Sequence, residues 1–101
     1  MATLNPVLSR HRSAIEIVYE IMKVCNSGGN NKTAIMYHSN LNHEQLQRYL
    51  SRLSAQYLID TDELGYYCLT EAGEQAFEQI EQVMQILREL GREAELVPVA
   101  D

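Results

Sequence analysis

The sequence predicts a mainly α fold of the α+β type, in which one short β-hairpin stands between three helices and a long C-terminal helix. Apolar residues recur at helical spacing in separate stretches, two short segments after residue 56 are rich in aromatic and branched side chains, and the last stretch has a wide apolar face. The 101 residues leave room for one domain, and 46% apolar and 22% charged residues are typical of a globular protein.

Two helices separated by a glycine turn are predicted at the start of the chain. The first covers residues 13–26, where apolar residues recur at intervals of three and four, and the run NSGGNN ends it. The second covers residues 32–39, with Asn31 placed to cap its N-terminus and Asn40 marking its end. Its apolar contacts with the core are predicted to come from Ile35, Met36 and Tyr37.

A third helix follows the short turn SNLN. It covers residues 42–56 and begins with Asn42 as N-cap and Gln45 three residues later, the arrangement of a capping box. Its buried stripe is predicted to consist of Leu46, Tyr49, Leu50 and Leu53. Two helices joined by so tight a turn indicate a helix-turn-helix motif.

A β-hairpin and a long helix are predicted in the second half of the chain. The segments YLIDT at 57–61 and YYCL at 66–69 are the strands, and Gly65 supplies the turn between them. Thr70 caps a last helix that continues to about Leu90. At about 100° per residue its apolar side chains fall within about 180° of arc, which is wider than one coiled-coil seam. The helix therefore offers one seam to its own domain and another to a partner.

Helix, helix-turn-helix, hairpin and helix is the element order of a winged helix domain. Two stretches of the sequence resemble a known family, and the resemblance covers about residues 10–90. The stretches are KTAIMYHSNLNHEQLQRYLSRLSAQYLI and GYYCLTEAGEQAF. They resemble small archaeal-type winged helix-turn-helix DNA-binding proteins whose C-terminal helices form an antiparallel coiled-coil dimer. The resemblance implies a homodimer that binds double-stranded DNA and uses the hairpin as its wing.

Two positions depart from the pattern of these proteins. Ala34 stands where they usually carry a basic residue, so one phosphate contact is expected to be missing. Tyr57 stands where they tend to have glycine, just before the first strand, and this is expected to change the end of the third helix and the angle of the wing.

The predicted DNA contacts lie on the outward side of the third helix and at the start of the second. Arg48 can pair with guanine, and Gln45 or Gln47 with adenine. A helix N-terminus favours phosphate, which suits Lys32 and Thr33. The full predicted set is Lys32, Thr33, His43, Gln45, Gln47, Arg48, Ser51 and Arg52. The alternative is an ordinary solvated helix face that makes no base contacts.

The charge is divided unevenly along the chain. The net charge of −6 by itself speaks against a nucleic-acid binder. Residues 1–56, however, hold six basic and three acidic residues, a net +3, whereas from residue 57 onward two basic residues face eleven acidic ones, a net −9. The first half can therefore approach DNA, and the second half would be repelled by it.

Two charged segments flank the predicted recognition helix. The short basic arm Arg10, His11 and Arg12 could reach a neighbouring groove, or could simply be solvated. The hairpin tip carries Asp60, Asp62 and Glu63. Repulsion between these carboxylates and phosphate is expected to keep the wing out of the minor groove.

The wide apolar face of the last helix predicts a homodimer. The predicted interface consists of Phe77, Ile80, Val83, Met84, Leu87 and Leu90. Burying six or seven such side chains contributes about 10 kcal/mol gross per chain, so an open apolar face is not expected. An antiparallel pair of helices of about 20 residues spans about 30 Å, close to the roughly 34 Å between successive major grooves. In the alternative, the helix folds back on its own domain and the protein is monomeric.

Several other classes of function are not expected. Cys25 and Cys68 lack metal-ligand spacing and the three histidines lie in different segments, so both cysteines are interpreted as small core residues and no metal is predicted. No phosphate loop or catalytic arrangement occurs, so neither a cofactor nor an enzyme is expected. No apolar run approaches about 20 residues and no signal core is present, which predicts a cytoplasmic protein without a membrane partner.

The predicted organisation is a flexible arm at 1–9, a winged helix domain at 10–73, a dimerisation helix at 74–91 and a flexible tail at 92–101. The predicted function is that of a dimeric DNA-binding protein, a transcription regulator or chromatin-type protein that reads the major groove with the helix at about 42–56. The alternative is a protein-protein interaction module that uses the acidic hairpin and the last helix.

Overall fold

The element order of the chain is that of a winged helix domain with an extended last helix. The computed structural model describes residues 12–96. The elements are α1 (Ala14–Asn26), α2 (Lys32–Ser39), α3 (His43–Ala55), β1 (Ile59–Thr61), β2 (Tyr67–Leu69) and α4 (Glu71–Leu96). The predicted fold class is therefore confirmed. The predicted arm at 1–9 and the last five residues of the predicted tail lie outside the described residues.

Side-chain caps fix where the first three helices begin. Ser13 and Glu16 form a reciprocal capping box on α1, in which the Glu16 amide donates to Ser13 Oγ at 3.2 Å and the Ser13 amide donates to the Glu16 carboxylate at 2.7 Å. Asn31 caps α2 by its side chain alone and Asn42 forms a second capping box on α3, with amide-to-Oδ1 distances of 2.8 Å and 2.7 Å. These oxygens satisfy amides that have no partner inside the helix, so the helices begin within one residue of the predicted positions.

The core is built around α1. Ile21 and Met22 of α1 are fully buried, and α1 packs against α2, α4 and β2. The α3 residues Leu46, Leu50 and Leu53 point into the core as predicted, while Tyr49 is half-buried beside them. The leucine stripe thereby turns the opposite side of α3 to solvent.

The two cysteines differ in burial. Burial, and secondarily the neighbouring Cys68, raises the pKa of the Cys25 thiol to about 11. The thiol therefore stays protonated at neutral pH, as expected of a core residue. Cys68 of β2 is only half-buried.

The hairpin is shorter than predicted and is joined to the first loop. β1 and β2 are antiparallel, with Ile59 opposite Leu69. The predicted first strand loses its first two residues because Tyr57 adopts a left-handed conformation, with φ of 60°, that ends α3. In the loop after α1, Asn30 exchanges two backbone hydrogen bonds with Tyr67, at 3.2 Å and 2.8 Å, which fixes that loop to β2.

The start of α4 is held tightly against the end of α3. Thr70 Oγ1 accepts from the Gly73 amide at 2.9 Å, as the predicted cap should, and donates to the Tyr57 carbonyl at 2.6 Å. The Thr70 amide donates to the Leu58 carbonyl at 3.0 Å. A Cβ added to Gly73 would lie 2.0 Å from the Leu58 oxygen, so only glycine permits this approach.

Two predictions about individual elements are corrected. α4 continues to Leu96 rather than ending near Leu90, because the residues that follow Gly91 are good helix formers and need no apolar face to extend the helix. Tyr37 is 81% exposed instead of contacting the core. Successive helical residues point about 100° apart, so Ile35, Met36 and Tyr37 cannot all face inward.

Candidate nucleic-acid interface

The exposed side of α3 forms one shallow groove. The buried leucine stripe holds the other side of the helix in place, so the outward side chains share one direction. The residues that line the groove are His43, Glu44, Gln47, Arg48, Ser51 and Arg52. Five of the eight predicted DNA contacts therefore belong to a single surface.

Arg48 and Arg52 lie one helical turn apart in this groove. Both are exposed, and neither forms an ion pair with a carboxylate of residues 12–91. Glu44 lies one turn before Arg48 on the same face and lowers the local charge without neutralising it. Two unpaired guanidinium groups are thus available for bidentate contacts with base edges or phosphates.

The N-terminus of α2 meets the groove through Lys32. Lys32 Nζ donates to Gln47 Oε1 at 2.5 Å, and Gln47 Nε2 donates to Ser51 Oγ at 3.3 Å. Thr33, beside Lys32, is exposed. The hydrogen bonds hold the Gln47 amide in one orientation, and a bidentate contact of Gln47 with adenine requires that Lys32 be released.

Gln45 has a structural role that its position in the motif already indicates. Its Oε1 accepts from the Asn42 amide at 3.2 Å, which turns the side chain back towards the start of α3. Gln45 does not line the groove. The capping box and the predicted base contact compete for the same amide oxygen, and in this structure the cap holds it.

Arg12, the described residue of the predicted basic arm, is part of the domain. Its guanidinium forms an ion pair with Glu20 of α1 and donates to the Asn40 carbonyl at 3.2 Å. Asn40 has a φ of 55° in the turn between α2 and α3. Arg12 therefore ties α1 to that turn, and its charge is already paired. Arg10 and His11 lie outside the described residues.

The hairpin tip is acidic, and one of its carboxylates builds the turn. Asp62 Oδ1 accepts from the amides of Leu64 and Tyr66, both at 2.9 Å. Asp60 Oδ1 accepts from the Thr61 amide at 2.8 Å. These hydrogen bonds explain why aspartate occurs at the tip, since its short side chain caps tight turns.

The apolar face of α4 divides into a covered part and an open part. Three residues of the predicted dimer interface pack against the core of their own chain, namely Phe77, Ile80 and Met84. The physical reason is that α1 covers this seam. The open part consists of Val83, Ile86, Leu87 and Leu90, which are between 42% and 58% exposed.

Two residues near the interface are absent from the predicted set. Glu44 lines the α3 groove, and helical spacing from Arg48 is the signal that identifies it. Tyr37 lies one turn after Thr33 on α2, and its ring packs edge-to-face against His38 with centroids 5.4 Å apart. Its exposure is not evident from the sequence, because an isolated tyrosine in a short helix is compatible with either side.

Two kinds of site are absent from the part of the chain that the structure describes. Among the described side chains, residues 12–91, no three histidine, cysteine or acidic groups gather as metal ligands would. Within the same range, none of the helices combines the length and the hydropathy that a bilayer crossing requires.

Comparison with protein families decides the classification. A family profile described as winged helix-turn-helix matches residues 11–88. The chain belongs to this winged helix-turn-helix family. The match covers the whole winged helix domain and most of α4, and it confirms the resemblance inferred from the sequence.

Solved structures share the winged helix-turn-helix fold. Sso10a-2, a DNA-binding protein from Sulfolobus solfataricus, superimposes with a TM-score of 0.70 at 25% identity, over 88% of this chain and 100% of the other. Wild-type ZitR of Lactococcus lactis superimposes with a TM-score of 0.61 at 16% identity, over 92% of this chain and 69% of the other. The likeness to ZitR concerns the fold alone.

A sequence relative matches three quarters of the chain. An uncharacterized protein of Methanocaldococcus jannaschii is 35% identical over 77 residues, which is 75% of this chain and 36% of the relative. The chain thus spans about a third of the length of that relative.

Proposed function

We propose that this chain is a dimeric DNA-binding protein that reads the major groove with α3 and acts as a transcription regulator. The observation that carries the proposal is the α3 groove, in which Arg48 and Arg52 are exposed and unpaired with any carboxylate of residues 12–91. A helix that presents guanidinium groups in this way fits the major groove, where guanine offers two acceptors to each arginine.

The surroundings of α3 support the proposal. Lys32 and Thr33 at the start of α2 flank the groove, where a lysine and helix amides favour phosphate. His43 and Ser51 add polar groups that can contact sugar, phosphate or base. Sso10a-2, which has this fold over its whole length, is described as a DNA-binding protein.

Dimerisation forms the second part of the proposal. An exposed apolar strip on α4 would be covered by a second copy of the chain. The strip consists of Val83, Ile86, Leu87 and Leu90. Each α3 groove has a low net charge because Glu44 offsets one arginine, so one groove alone binds phosphate weakly. Two grooves in one dimer add their contacts, and the second contact forms at high effective concentration.

Titration of duplex DNA at several salt concentrations tests the proposal. The parent should bind less tightly as salt rises. Arg48→Ala/Arg52→Ala should lower the affinity at every salt concentration, and should lower the slope of log K against log salt by about 1 for each arginine that contacts a phosphate. Fluorescence anisotropy of a labelled duplex measures both slopes.

The matched control is Gln75→Glu/Gln79→Glu, which changes the net charge by the same amount on exposed positions of α4. It should retain most of the parental affinity, because it leaves α3 untouched. Equal affinities of the arginine double variant and the parent would show that α3 is not the reading helix.

One observation favours the second candidate function, a protein-protein interaction module. Leu64 is exposed at the hairpin tip beside Asp62 and Glu63, which gives an apolar side chain within an acidic surface. Such a surface suits a basic partner. Absence of salt-dependent duplex binding by the parent in the titration would favour this function over the first.

A further inference from the structure

Tyr19 of α1 contacts α4 through both its ring and its hydroxyl. The ring is almost fully buried and stacks on Phe77 of α4, with centroids 5.7 Å apart and planes 11° from parallel. Two cations also approach the ring, Lys23 Nζ and Arg88 Cζ, each 5.8 Å from its centroid. The ring therefore provides both apolar and cation–π contacts.

The hydroxyl of Tyr19 extends this contact along α4. It donates to Glu81 Oε2 at 3.4 Å and accepts from Arg88 Nη2 at 3.3 Å. These partners lie within twelve residues of α4, from Phe77 to Arg88, which is about 16 Å of helix. The Tyr19 side chain of α1 thus contacts three residues of α4.

We propose that Tyr19 is a positioning residue that fixes the angle between the winged helix domain and α4, and through it the distance between the two α3 helices of the dimer. The inference rests on the proposed dimeric DNA-binding function. Tyr19 itself is buried and touches no DNA in this scheme.

The geometry explains why this angle matters. The open strip that would pair with a second copy runs from Val83 to Leu90 on α4, and the α4 residues that Tyr19 contacts run from Phe77 to Arg88. Tyr19 thus joins the domain to the same part of α4 that would form the dimer. A tilt of about 10° at the end of a lever of about 20 Å displaces α3 by about 3.5 Å, close to the axial rise of about 3.4 Å per phosphate of one DNA strand. Simultaneous insertion of both α3 helices into two successive major grooves requires that each helix be displaced by less than this distance.

Two variants remove the polar part of the contact and leave the core in place. Tyr19→Phe removes the hydroxyl and keeps the stacked ring. Glu81→Ala/Arg88→Ala removes both hydroxyl partners from the surface of α4 without changing the net charge. Tyr57→Phe is the matched control, because the Tyr57 ring is exposed and its hydroxyl has no hydrogen-bond partner among the described residues.

Residual dipolar couplings of backbone amides measure the angle without DNA. In the parent and in Tyr57→Phe, couplings from α1 and α4 should fit one alignment tensor. In both test variants they should require two tensors, because the domain no longer holds one angle to α4. A single tensor in both test variants would overturn the inference.

Affinity for duplexes of two lengths measures the consequence for spacing. A duplex of about 24 base pairs presents two major grooves to a dimer and one of about 12 base pairs presents one. The parent and Tyr57→Phe should prefer the longer duplex about tenfold or more. In the test variants this preference should fall to about twofold, the statistical value for twice the number of sites, while affinity for the shorter duplex stays unchanged.

The outcomes separate this inference from the proposed function. Two tensors with an unchanged tenfold preference would overturn the role in spacing. If the parent bound neither duplex, that result would instead contradict the proposed function. The residual dipolar couplings would still show whether Tyr19 fixes the angle between the domain and α4.

Discussion

At the residue scale, two positions in the junction between α3, the hairpin and α4 are restricted by the backbone. One has a left-handed conformation and the other has no room for a side chain. Tyr57 has a φ of 60° although it carries a side chain, and that side chain is 78% exposed. Gly73 lies against the backbone of Leu58, where there is no room for a Cβ. At both positions the backbone, rather than a side-chain contact, determines which residue stabilises the fold.

Tyr57→Gly should stabilise the protein by about 0.5–1 kcal/mol. Glycine relieves the cost of roughly 1–2 kcal/mol that an L-residue incurs in the left-handed region, although part of this gain is lost to the greater freedom of the unfolded chain. The exposed ring contributes little packing. Urea denaturation measures the change. Tyr57→Ala removes the same ring and keeps Cβ, so an equal gain from alanine would refute backbone relief as the cause.

Gly73→Ala should destabilise the protein by about 3 kcal/mol or more, at the upper end of the range for overpacking. The new Cβ would force the Leu58 carbonyl away and weaken its hydrogen bond with the Thr70 amide. Gly91→Ala is the control of opposite sign, because nothing lies within 4 Å of its Cβ and alanine should add about 0.5–1 kcal/mol of helix stability. Similar midpoints for the two variants in thermal unfolding would contradict the close approach.

At the scale of elements, the apolar face of α4 has two parts with different surroundings. One side of its apolar face completes the core of the domain through Phe77, Ile80 and Met84, and the neighbouring side leaves Val83, Leu87 and Leu90 open. The sequence predicts the width of the apolar face but assigns all six of these positions to the partner seam. Which seam is covered depends on where α1 lies, and helical periodicity contains no such information.

Leu87→Glu should convert a dimer into a monomer, since a buried carboxylate without a partner opposes association. Gln82→Glu adds the same charge at an exposed polar position of α4 and should leave the dimer intact. Sedimentation velocity distinguishes a mass of about one chain, 11.5 kDa, from a mass of two. An unchanged mass for Leu87→Glu would exclude the open strip as the interface.

At the scale of the whole molecule, the sequence is informative where structure is local. The caps Ser13, Asn31 and Asn42 act on amides two or three residues away, so their spacing alone locates the helices. The outward face of α3 follows from its leucine stripe for the same reason. Arg12 could not be assigned in this way, because its partners Glu20 and Asn40 are eight and 28 residues distant.

Two of the remaining differences are local, whereas the contact between α1 and α4 is long-range. Tyr37 faces solvent because Ile35 occupies the core side of a short helix, and Gln45 caps α3 instead of lining its groove. The contact of Tyr19 with α4 joins positions up to 69 residues apart. Residue types and spacing predict the fold and most of the candidate interface, whereas the pairing of distant side chains requires the structure.

The backbone pairing of Asn30 with Tyr67 also bears on local opening. These two hydrogen bonds close a segment that contains α2, α3 and β1, so the helix-turn-helix motif cannot unfold from either end while they persist. Segments enclosed in this way open as one cooperative unit. The amides of Asn30 and Tyr67 should therefore exchange with solvent deuterium as slowly as the core of α3, although they lie in a loop and a three-residue strand.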